Sequence, residues 1–489
     1  MLLLLFISFT LLLIFFWKQN NYWKSRNVKQ VTGTLFKFTF GSRSLPEYYK
    51  EIYDKHNESQ IGIYLGRRPA IILKDLRDIQ AVLAGDFQSF HSRGIILNEK
   101  ETLADSILFI DDLPRWKILR QKLSPAFSSL RLKTMFEGIE RSARDFVEFI
   151  ENSGNDQGLE EMPFNAIYKY TTGSIGAAVF GVDVDQNTLD TPVLNITRKA
   201  LEPTLKSIMT FFLAGTFPRL IKWLDMMNFD NYETSFIDAV KKVLENRRAG
   251  EKQYDFIDVC LELQNHEVLR DLVTGYEIVP TDELLAAQAF FFFVAGADTT
   301  ANVMHFTLLE LSSNPSVLKK LHAEIDEVFQ DEKKSLNFED MDKFKYLEMV
   351  VNETMRKYPP IGLLQRICTK ETNLPSNNLR ISKDTIAVVP VLALHRDERF
   401  YPKSDAFDPQ RFAPENFNEI NKFSFLPFGE GNRVCIGAKF ARLQLRAGLA
   451  WLLRKYTLVP QDYKPVKFER SPFAVRDSKA KYRLINRTN

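Results

Sequence analysis

The chain has 489 residues and a formal net charge of +3, with 26% charged and 45% hydrophobic residues. So small a charge on so long a chain argues against a nucleic-acid-binding protein, and the composition is ordinary for a folded globular protein. Three cysteines are too few for a disulfide framework, which favours a reducing compartment, and Cys260 and Cys368 are interpreted as packing residues. Forty phenylalanines indicate an apolar interior or pocket.

The N-terminal segment is apolar. Leu2 to Trp17 carries no charge, and as a helix these 16 residues would span about 24 Å, slightly less than a ~30 Å hydrocarbon core. Tyr22 and Trp23 are expected to extend it as an interfacial belt. A cleaved signal peptide is the alternative, but it would need a charged start and a small-residue cleavage site. We therefore predict an uncleaved transmembrane anchor over residues 1–23.

Basic residues follow the anchor and set its expected orientation. Lys18, Lys24 and Arg26 place the rest of the chain in the cytosol by the positive-inside rule. Residues 24–45 are basic and polar and are predicted to form a linker. Residues 46–489 are predicted to form a single domain, because no stretch rich in proline, glycine or serine divides them.

Helical periodicity dominates this predicted domain. A hairpin is predicted over Tyr64–Leu73, where Ile and Tyr flank a Gly-Arg-Arg-Pro turn. Helices are predicted from there to about residue 358, and strands return at Arg380–Val391 and near the C-terminus, at residues 458–460 and 481–485. The predicted fold class is mainly α with a minor β region.

An aromatic-rich segment, Lys199–Met227, is interrupted by Gly215 and Pro218. Two interpretations stay open. It forms either two core helices that meet at a turn, or an apolar entrance surface that dips into a bilayer and admits lipophilic molecules.

The longest helical pattern begins after a predicted N-cap at Thr281 and ends at about Ser313. Four successive phenylalanines, Phe290–Phe293, lie near its centre. Only one or two of them can face a single neighbour in a helix, so some are expected to roof a pocket while the others fill the core.

The motif A-G-A-D-T-T follows these phenylalanines, from Ala295 to Thr300. Gly296 and the paired threonines lower helix propensity, and the Thr299 hydroxyl can bind a backbone carbonyl instead of supporting the helix. The resulting groove could hold dioxygen and water beside a cofactor, with Asp298 and Thr299 as a proton relay. A flexed helix with a buried threonine is the alternative.

Two spaced pairs of residues share helix faces. Trp116 and Arg120 lie four apart, and an indole N–H beside a guanidinium suits recognition of a carboxylate. Glu353 and Arg356 form an E-x-x-R pair ahead of two prolines. Taken alone, each pair is common on helix surfaces.

A glycine-hinged loop near the C-terminus carries the third cysteine. It has the form F-x-x-G-x-R-x-C-x-G from Phe428 to Gly437, and a predicted helix follows it to Tyr456. Cys435 thus lies just ahead of a helix N-terminus, which favours the thiolate that ligates metals. Gly431 and Gly437 would allow positive φ and close approach to a flat ligand. An ordinary buried cysteine is the alternative interpretation.

The cysteine loop, the A-G-x-D-T-T helix and the E-x-x-R pair together resemble the cytochrome P-450 superfamily over essentially the whole chain. The resemblance implies the fold of that superfamily, a haem-thiolate monooxygenase activity, and haem b with the thiolate of Cys435 as its axial ligand. It implies that Phe428 shields the sulfur, that Gly437 belongs to the haem-binding loop, and that Arg433 neutralises an acidic group on the haem rim. Asp298 and Thr299 would then deliver protons during oxygen activation.

Further roles are implied by the same resemblance. Trp116, Arg120 and Arg366 would contact haem propionates. Glu353 and Arg356 would meet Arg411, from a Pro-Gln-Arg-Phe segment in which glutamine replaces the usual glutamate, and would brace the cysteine loop.

The resemblance to the microsomal branch also implies partners. Electrons would come from an NADPH-dependent diflavin reductase of the endoplasmic reticulum, with cytochrome b5 as a second candidate donor. The domain would lie on the cytosolic face of that membrane. Basic residues are candidates for the reductase-docking face: Lys122, Lys133, Lys422, Lys439 and Arg442.

The branch includes insect detoxification enzymes, which suggests foreign substrates such as plant toxins or insecticides. Endogenous lipids or hormones are the alternative, and relatives that rearrange peroxides and non-enzymatic haem proteins are two further ones. The chain departs from the family in two places. It has no proline-rich hinge after the anchor, and its C-terminal loop, Pro472–Asp477, carries charges near its tip.

Overall fold

The computed structural model describes residues 22–95, 97–98, 100–154, 158–159, 164–181, 205–216, 223, 229, 232–250, 252–331, 334–460 and 464–487. The predicted anchor over residues 1–23 lies almost entirely outside the described residues, as does much of the segment 199–227.

Fifteen α-helices are assigned within the described residues: α1 Thr34–Phe40, α2 Leu45–Lys55, α3 Leu76–Gln80, α4 Leu113–Leu123, α5 Ser129–Ser153, α6 Phe164–Phe180, α7 Leu205–Thr216, α8 Glu233–Ala249, α9 Phe256–Gln264, α10 Asp282–Ser313, α11 Pro315–Phe329, α12 Lys345–Lys357, α13 Val391–Leu394, α14 Pro414–Phe417 and α15 Ala438–Lys455. Short 3-10 helices lie at Lys24–Arg26, Thr102–Ala104, Ser124–Phe127, Glu339–Lys343 and Pro409–Phe412, and a π-helical turn lies at Ala81–Gly85.

Eleven short strands accompany them: β1 Gln60–Leu65, β2 Arg68–Leu73, β3 Gly158–Leu159, β4 Leu269–Arg270, β5 Glu277–Ile278, β6 Leu364–Ile367, β7 Thr372–Leu374, β8 Leu379–Ile381, β9 Ile386–Val389, β10 Tyr456–Leu458 and β11 Leu484–Asn486. The largest sheet has the order β1-β2-β9-β6, in which β2 and β9 are parallel and the other pairs antiparallel. A second sheet has the order β10-β11-β3, and β4-β5 and β7-β8 are separate pairs. The predicted fold class, mainly α with a minor β region, is confirmed.

The predicted hairpin is present, and it begins earlier than the pattern indicated, at Gln60. Its turn uses Gly66 at a φ of 64°, a left-handed conformation that glycine adopts without strain. The predicted strand Arg380–Val391 is divided between β8 and β9, because Asp384 and Thr385 turn the chain between two different sheets.

Helix α10 is the centre of the fold. The Thr281 hydroxyl accepts a hydrogen bond from the Leu284 backbone N–H over 3.2 Å, which confirms the predicted N-cap and both helix bounds. α10 packs against α6, α8 and α15, and α5 packs between α6 and α15. In the described part of the chain, α10 alone is long and apolar enough to cross a membrane, but 78% of its apolar window is buried inside the domain.

The phenylalanine run of α10 fills the core in several directions, and all four side chains are buried. Phe290 stacks on Tyr232 of the preceding segment, with ring centroids 5.7 Å apart. Phe291 meets Phe109 edge to face at 4.6 Å. The other two rings, Phe292 and Phe293, contact α9 and α6 respectively.

Residues just after the predicted anchor pack on the domain. The Trp23 side chain is completely buried, and its indole N–H donates to the Ile63 carbonyl over 2.9 Å. A Cβ at Gly62 would lie 2.4 Å from the Trp23 ring, so the indole seats directly on β1. The expectation that Trp23 forms an interfacial belt is therefore wrong: its ring completes the core beside the sheet.

Contact between α6 and α15 generates a stability prediction. The Tyr170 hydroxyl donates to the Gln444 carbonyl over 2.6 Å, and a Cβ at Gly448 would lie 2.3 Å from the Tyr170 ring. Gly448→Ala should therefore lower the free energy of unfolding by about 1–3 kcal/mol through overpacking. Chemical denaturation checks this, with Gly85→Ala as the control, because its Cβ would meet nothing closer than 3.6 Å. Equal stability of both variants would contradict this packing.

Candidate haem-thiolate site

The cysteine loop is a tight turn that precedes α15. The Cys435 backbone N–H donates to the Phe428 carbonyl over 2.9 Å, which closes the turn. Gly431 adopts a φ of 77°, and a Cβ there would lie 2.0 Å from the Leu83 carbonyl oxygen. Glycine at this position therefore allows the backbone at Leu83 to approach the cysteine loop closely. Gly437 has a φ of −89°, so the prediction of positive φ there is wrong; its place is the N-cap of α15.

Cys435 is the accessible cysteine, whereas Cys260 and Cys368 are buried as predicted. Although the Cys435 sulfur is accessible, protein surrounds it on most sides, and this desolvation raises the pKa of its thiol. The Gly437 N–H, Arg120 and Arg93 act in the opposite direction. Bonding to a metal would favour the thiolate over the thiol.

Arginines from four separate segments converge beside this loop. Arg120 on α4 donates to the Val434 carbonyl over 2.8 Å, and Arg93 donates to the Arg433 carbonyl over 3.3 Å. Arg433 donates to the Ile110 carbonyl over 2.8 Å, and its guanidinium lies 4.5 Å from the centre of the Trp116 ring. Arg366 on β6 completes the group. The structure therefore brings together the predicted rim-binding residues.

This arginine cluster (Arg93, Arg120, Arg366 and Arg433) is short of negative charge. Burial and mutual repulsion lower the pKa of Arg93 to about 10 and that of Arg433 to about 9, and they lower the pKa of Arg366 strongly. The negative charge of Asp111 opposes the lowering of these pKa values for Arg93 and Arg433, but Asp111 forms no hydrogen bond or ion pair with either of them. No salt bridge to a carboxylate joins any of the four within the described residues.

Two unpaired N–H donors in this cluster indicate which kind of ligand it would bind. The Nε groups of Arg366 and Arg433 are buried and have no hydrogen-bond partner among the described residues. The other N–H groups of these two side chains donate only to neutral carbonyls, such as those of Gln365 and Ile110. Buried charges that lack a counter-charge are costly, so the cluster suits a ligand that carries carboxylates. An accessible thiol beside such cations fits a haem, whose iron would take the sulfur and whose two propionates would take the arginines.

The A-G-A-D-T-T motif forms an accessible stripe in the middle of the largely buried α10. Ala295, Gly296 and Thr299 are accessible, whereas Ala297, Asp298 and Thr300 are buried. As predicted, the Thr299 hydroxyl donates to a backbone carbonyl, that of Ala295, over 2.7 Å. The helix is nevertheless continuous through the motif. Glycine at position 296 has a packing reason, since a Cβ would lie 2.7 Å from Ile175 on α6.

Asp298 points away from the accessible stripe. One carboxylate oxygen accepts from Arg476 over 3.1 Å, and the other accepts from the Asn302 amide over 3.1 Å. Burial raises the pKa of Asp298, and Arg476 opposes that rise. Arg476 also lies 3.4 Å from a Glu469 oxygen. The charges near the tip of the C-terminal loop thus turn inward onto α10, and the predicted Asp298–Thr299 relay would need Asp298 to exchange partners.

The E-x-x-R pair lies on one face of α12, as predicted. Glu353 and Arg356 are completely buried and form two hydrogen bonds, over 2.7 and 2.9 Å. Arg356 also donates to the carbonyls of His395 and Ser404, and Arg411 approaches Glu353 at 3.5 Å. The replacement of glutamate by Gln410 therefore leaves the three-residue network in place.

His395 connects that network to the cysteine loop. Its backbone carbonyl accepts from Arg356, and its Nε2 accepts from the Leu426 N–H over 2.8 Å, two residues before Phe428. Its Nδ1 lies 3.3 Å from the Met355 carbonyl, which assigns the ring proton to Nδ1. Burial, with Arg356 second, lowers the pKa of His395 to about 3, so the ring is neutral.

Three of these residues escaped prediction: Arg93, His395 and Arg476. Each acts through a partner more than 30 positions away in the chain, so no local spacing marks it. For Arg476 alone a signal existed, because charges in the C-terminal loop departed from the family pattern.

Two candidates for the reductase-docking face form ion pairs with other parts of the domain, and one of them is Lys133, which pairs with Glu339. Arg442 forms an ion pair with Glu348 and donates to the Asn352 side chain over 2.9 Å. Its guanidinium also lies 5.0 Å from the Phe428 ring. It therefore joins α12 to α15 rather than presenting a free charge. Lys422 and Lys439 remain exposed.

Known proteins match this chain over nearly its full length. The family model described as "Cytochrome P450" matches residues 25–484. The chain belongs to the cytochrome P450 family. It is 32% identical to Cytochrome P450 6k1 of Blattella germanica, over 92% of this chain and 89% of that protein. It is also 32% identical to Cytochrome P450 6B1 of Papilio polyxenes, over 94% of each, and 30% identical to Cytochrome P450 6d3 of Musca domestica, over 95% of each.

Membership makes the chain a haem-dependent monooxygenase with a cysteine thiolate ligand to iron, as predicted. The relatives are insect proteins, which agrees with the predicted insect branch. A P450 needs a ligating cysteine and cations for the haem carboxylates, and the described residues place an accessible cysteine, Cys435, beside the arginine cluster.

The neutral ring of His395 predicts acid sensitivity of the cysteine loop. Its pKa lies below the ordinary value of 6.5, so its contribution to stability is complete above pH 6.5 and is lost as pH falls towards 3. His395→Gln keeps an acceptor for the Leu426 N–H but cannot titrate. We expect its free energy of unfolding to fall less than that of the wild type between pH 7 and about pH 5.

Denaturant unfolding at several pH values measures this difference. The comparison cancels the contributions of His305 and His322, whose pKa values burial lowers to about 4 in both proteins. Parallel pH dependence of wild type and variant would show that His395 does not couple protonation to the loop.

Proposed function

We propose that this P450 holds haem b, with Cys435 as the thiolate ligand and Phe428 and Gly437 framing the loop beneath it. Trp116 and the arginine cluster would hold the two propionates. The observation that carries the proposal is the convergence of four arginines beside the accessible Cys435, without carboxylate salt bridges in the described part of the chain. Arg366 and Arg433 are buried, and Arg93 and Arg120 are half-buried.

The proposed reaction inserts one atom of dioxygen into a lipophilic small molecule and releases the other as water. Haem supplies the oxygen-activating chemistry, and a thiolate ligand favours O–O cleavage. The protein's own part is to orient the substrate, exclude water and move protons. Electrons would come from an NADPH-dependent diflavin reductase, or from cytochrome b5, across a surface that includes Lys422 and Lys439.

Proton delivery is assigned to Thr299 and Asp298. Thr299 is accessible on α10, and its hydroxyl, which now donates to the Ala295 carbonyl, can rotate to donate elsewhere. Asp298 is a buried acid with a raised pKa, held by Arg476 until it exchanges partners. Glu353, Arg356 and Arg411 have a structural role, namely to hold the segment that leads into the cysteine loop.

The proposed location is the cytosolic face of the endoplasmic reticulum membrane, with an N-terminal anchor that ends before Trp23, whose ring belongs to the domain core. Exposed aromatic rings support a membrane-facing side. Phe36 and Phe40 on α1 are exposed, and their ring centroids lie 4.7 Å apart. The ring centroid of Phe212 on α7 lies 6.4 Å from that of Phe40. This arrangement favours the bilayer-contact interpretation of the aromatic segment 199–227 for its described part.

The proposed substrates are foreign compounds, such as plant toxins or insecticides. The insect relatives and the apolar interior support this class. Oxidation of endogenous lipids or hormones is the second candidate, supported by the same apolar surfaces.

Turnover with the reductase and NADPH tests the function. The wild type should convert a hydrophobic compound that shifts the iron spin state into an oxygenated product. Thr299→Ala should lower the ratio of product formed to NADPH consumed by roughly tenfold, because a proton donor is lost from the accessible stripe. Thr300→Ala is the matched control, since the Thr300 hydroxyl is buried on another face. Undiminished coupling in Thr299→Ala would remove the assigned role.

A further inference from the structure

One turn of the chain supplies carbonyls that hold two members of the arginine cluster. Residues 106–110, named here the carbonyl turn, lie just ahead of α4. The Leu108 carbonyl accepts a hydrogen bond from Arg93 over 2.8 Å. The Ile110 carbonyl accepts one from Arg433, also over 2.8 Å. The position of the carbonyl turn therefore decides where both guanidinium groups point.

The carbonyl turn is closed by its own backbone. The Ser106 carbonyl accepts from the N–H groups of Phe109 and Ile110, over 2.9 and 3.0 Å. Among the described elements, no helix or strand includes these residues, so tertiary contacts set the position of the turn. A contact at its first residues therefore positions the whole turn.

The side chain of Gln288, on α10, contacts the start of the carbonyl turn twice. Its Oε1 accepts from the Ile107 backbone N–H over 2.9 Å, and its Nε2 donates to the Asp105 carbonyl over 2.6 Å. The same Nε2 donates to the Leu284 carbonyl of α10 over 3.1 Å. Gln288 is completely buried, so removal of its amide would leave buried backbone groups without a partner.

We propose that Gln288 is a positioning residue for the haem carboxylates: it holds the carbonyl turn at the place from which that turn aims Arg93 and Arg433. This inference rests on the proposed function and adds a residue to it. The two guanidinium groups repel each other, so they would separate without fixed acceptors. Groups that are already in place bind a ligand more tightly than mobile ones, because less side-chain entropy is lost on binding.

The rate of haem release from the full-length holoprotein to excess apomyoglobin, at neutral pH, tests this role without turnover. Gln288→Met has a similar size but makes neither hydrogen bond to the loop. We expect it to release haem about tenfold faster than the wild type. Gln288→Glu keeps an acceptor for the Ile107 N–H and should rescue part of the retention, with release about threefold faster than in the wild type. If Gln288→Met does not fold, Gln288→Glu decides, and release at the wild-type rate would contradict the proposal.

Glu233→Met is the matched control. Glu233 on α8 accepts from the Leu103 N–H over 2.8 Å, so it ties the same loop to a different helix, ahead of the carbonyl turn. Its replacement should lower the free energy of unfolding as Gln288→Met does, but leave haem release within about twofold of the wild-type rate. Equal acceleration of haem release by both variants would show a general effect of loop stability and overturn the proposal.

A double-mutant cycle with Arg433→Gln separates positioning from loss of stability. If Gln288 acts through the arginines, Gln288→Met should change haem release by less than about threefold once Arg433 is already replaced. A full tenfold effect of Gln288→Met in the Arg433→Gln background, or wild-type release in both Gln288 variants, would overturn the proposal.

The two proposals fail separately. A wild-type protein that forms no thiolate-ligated haem loses the proposed function, whatever the variants do. A wild-type protein that holds thiolate-ligated haem, but releases it at the same rate as Gln288→Met, retains the proposed function and loses this inference alone.

Discussion

The buried ion pair between Glu353 and Arg356 is the interaction on which the site depends. Both side chains are completely inaccessible, so neither charge can be hydrated if its partner is lost. Removal of one member of such a pair typically costs 3–5 kcal/mol. The pair is retained because Arg356 also fixes the carbonyls of His395 and Ser404, and His395 in turn holds the segment leading to Phe428. A charge buried on α12 thereby positions a loop more than 70 residues later.

The arginine cluster lies beside the same cysteine loop. The arginine cluster comes from segments that are distant in sequence, and repulsion among its members opposes folding unless an anion offsets it. Haem carboxylates would supply that anion, so binding of the cofactor and stability of this region are linked. The cluster and Cys435 would thus hold one ligand from different directions, the cations at its carboxylates and the sulfur at its iron.

Sequence patterns predicted the parts whose signals are local. The N-cap at Thr281 and the extent of α10, the hairpin turn, and the helix after the cysteine loop all follow from short-range rules, and the structure confirms them. The E-x-x-R pair was predictable as one helix face, but its burial was not. Trp23 was misplaced because an aromatic residue beside an apolar segment suits either a membrane interface or a protein core. Arg93, His395 and Asp298's partner Arg476 depend on tertiary contacts that no spacing encodes.

The central claim is that Cys435 bonds to haem iron as a thiolate. It is tested most directly by the absorption spectrum of the reduced full-length protein under carbon monoxide. The account predicts the strongly red-shifted Soret band that thiolate ligation produces, and its loss in Cys435→Ser. Cys368→Ser, which replaces a buried cysteine outside the cysteine loop, should retain the band. An unshifted band in freshly folded wild-type protein, or a shifted band that survives Cys435→Ser, would contradict the account.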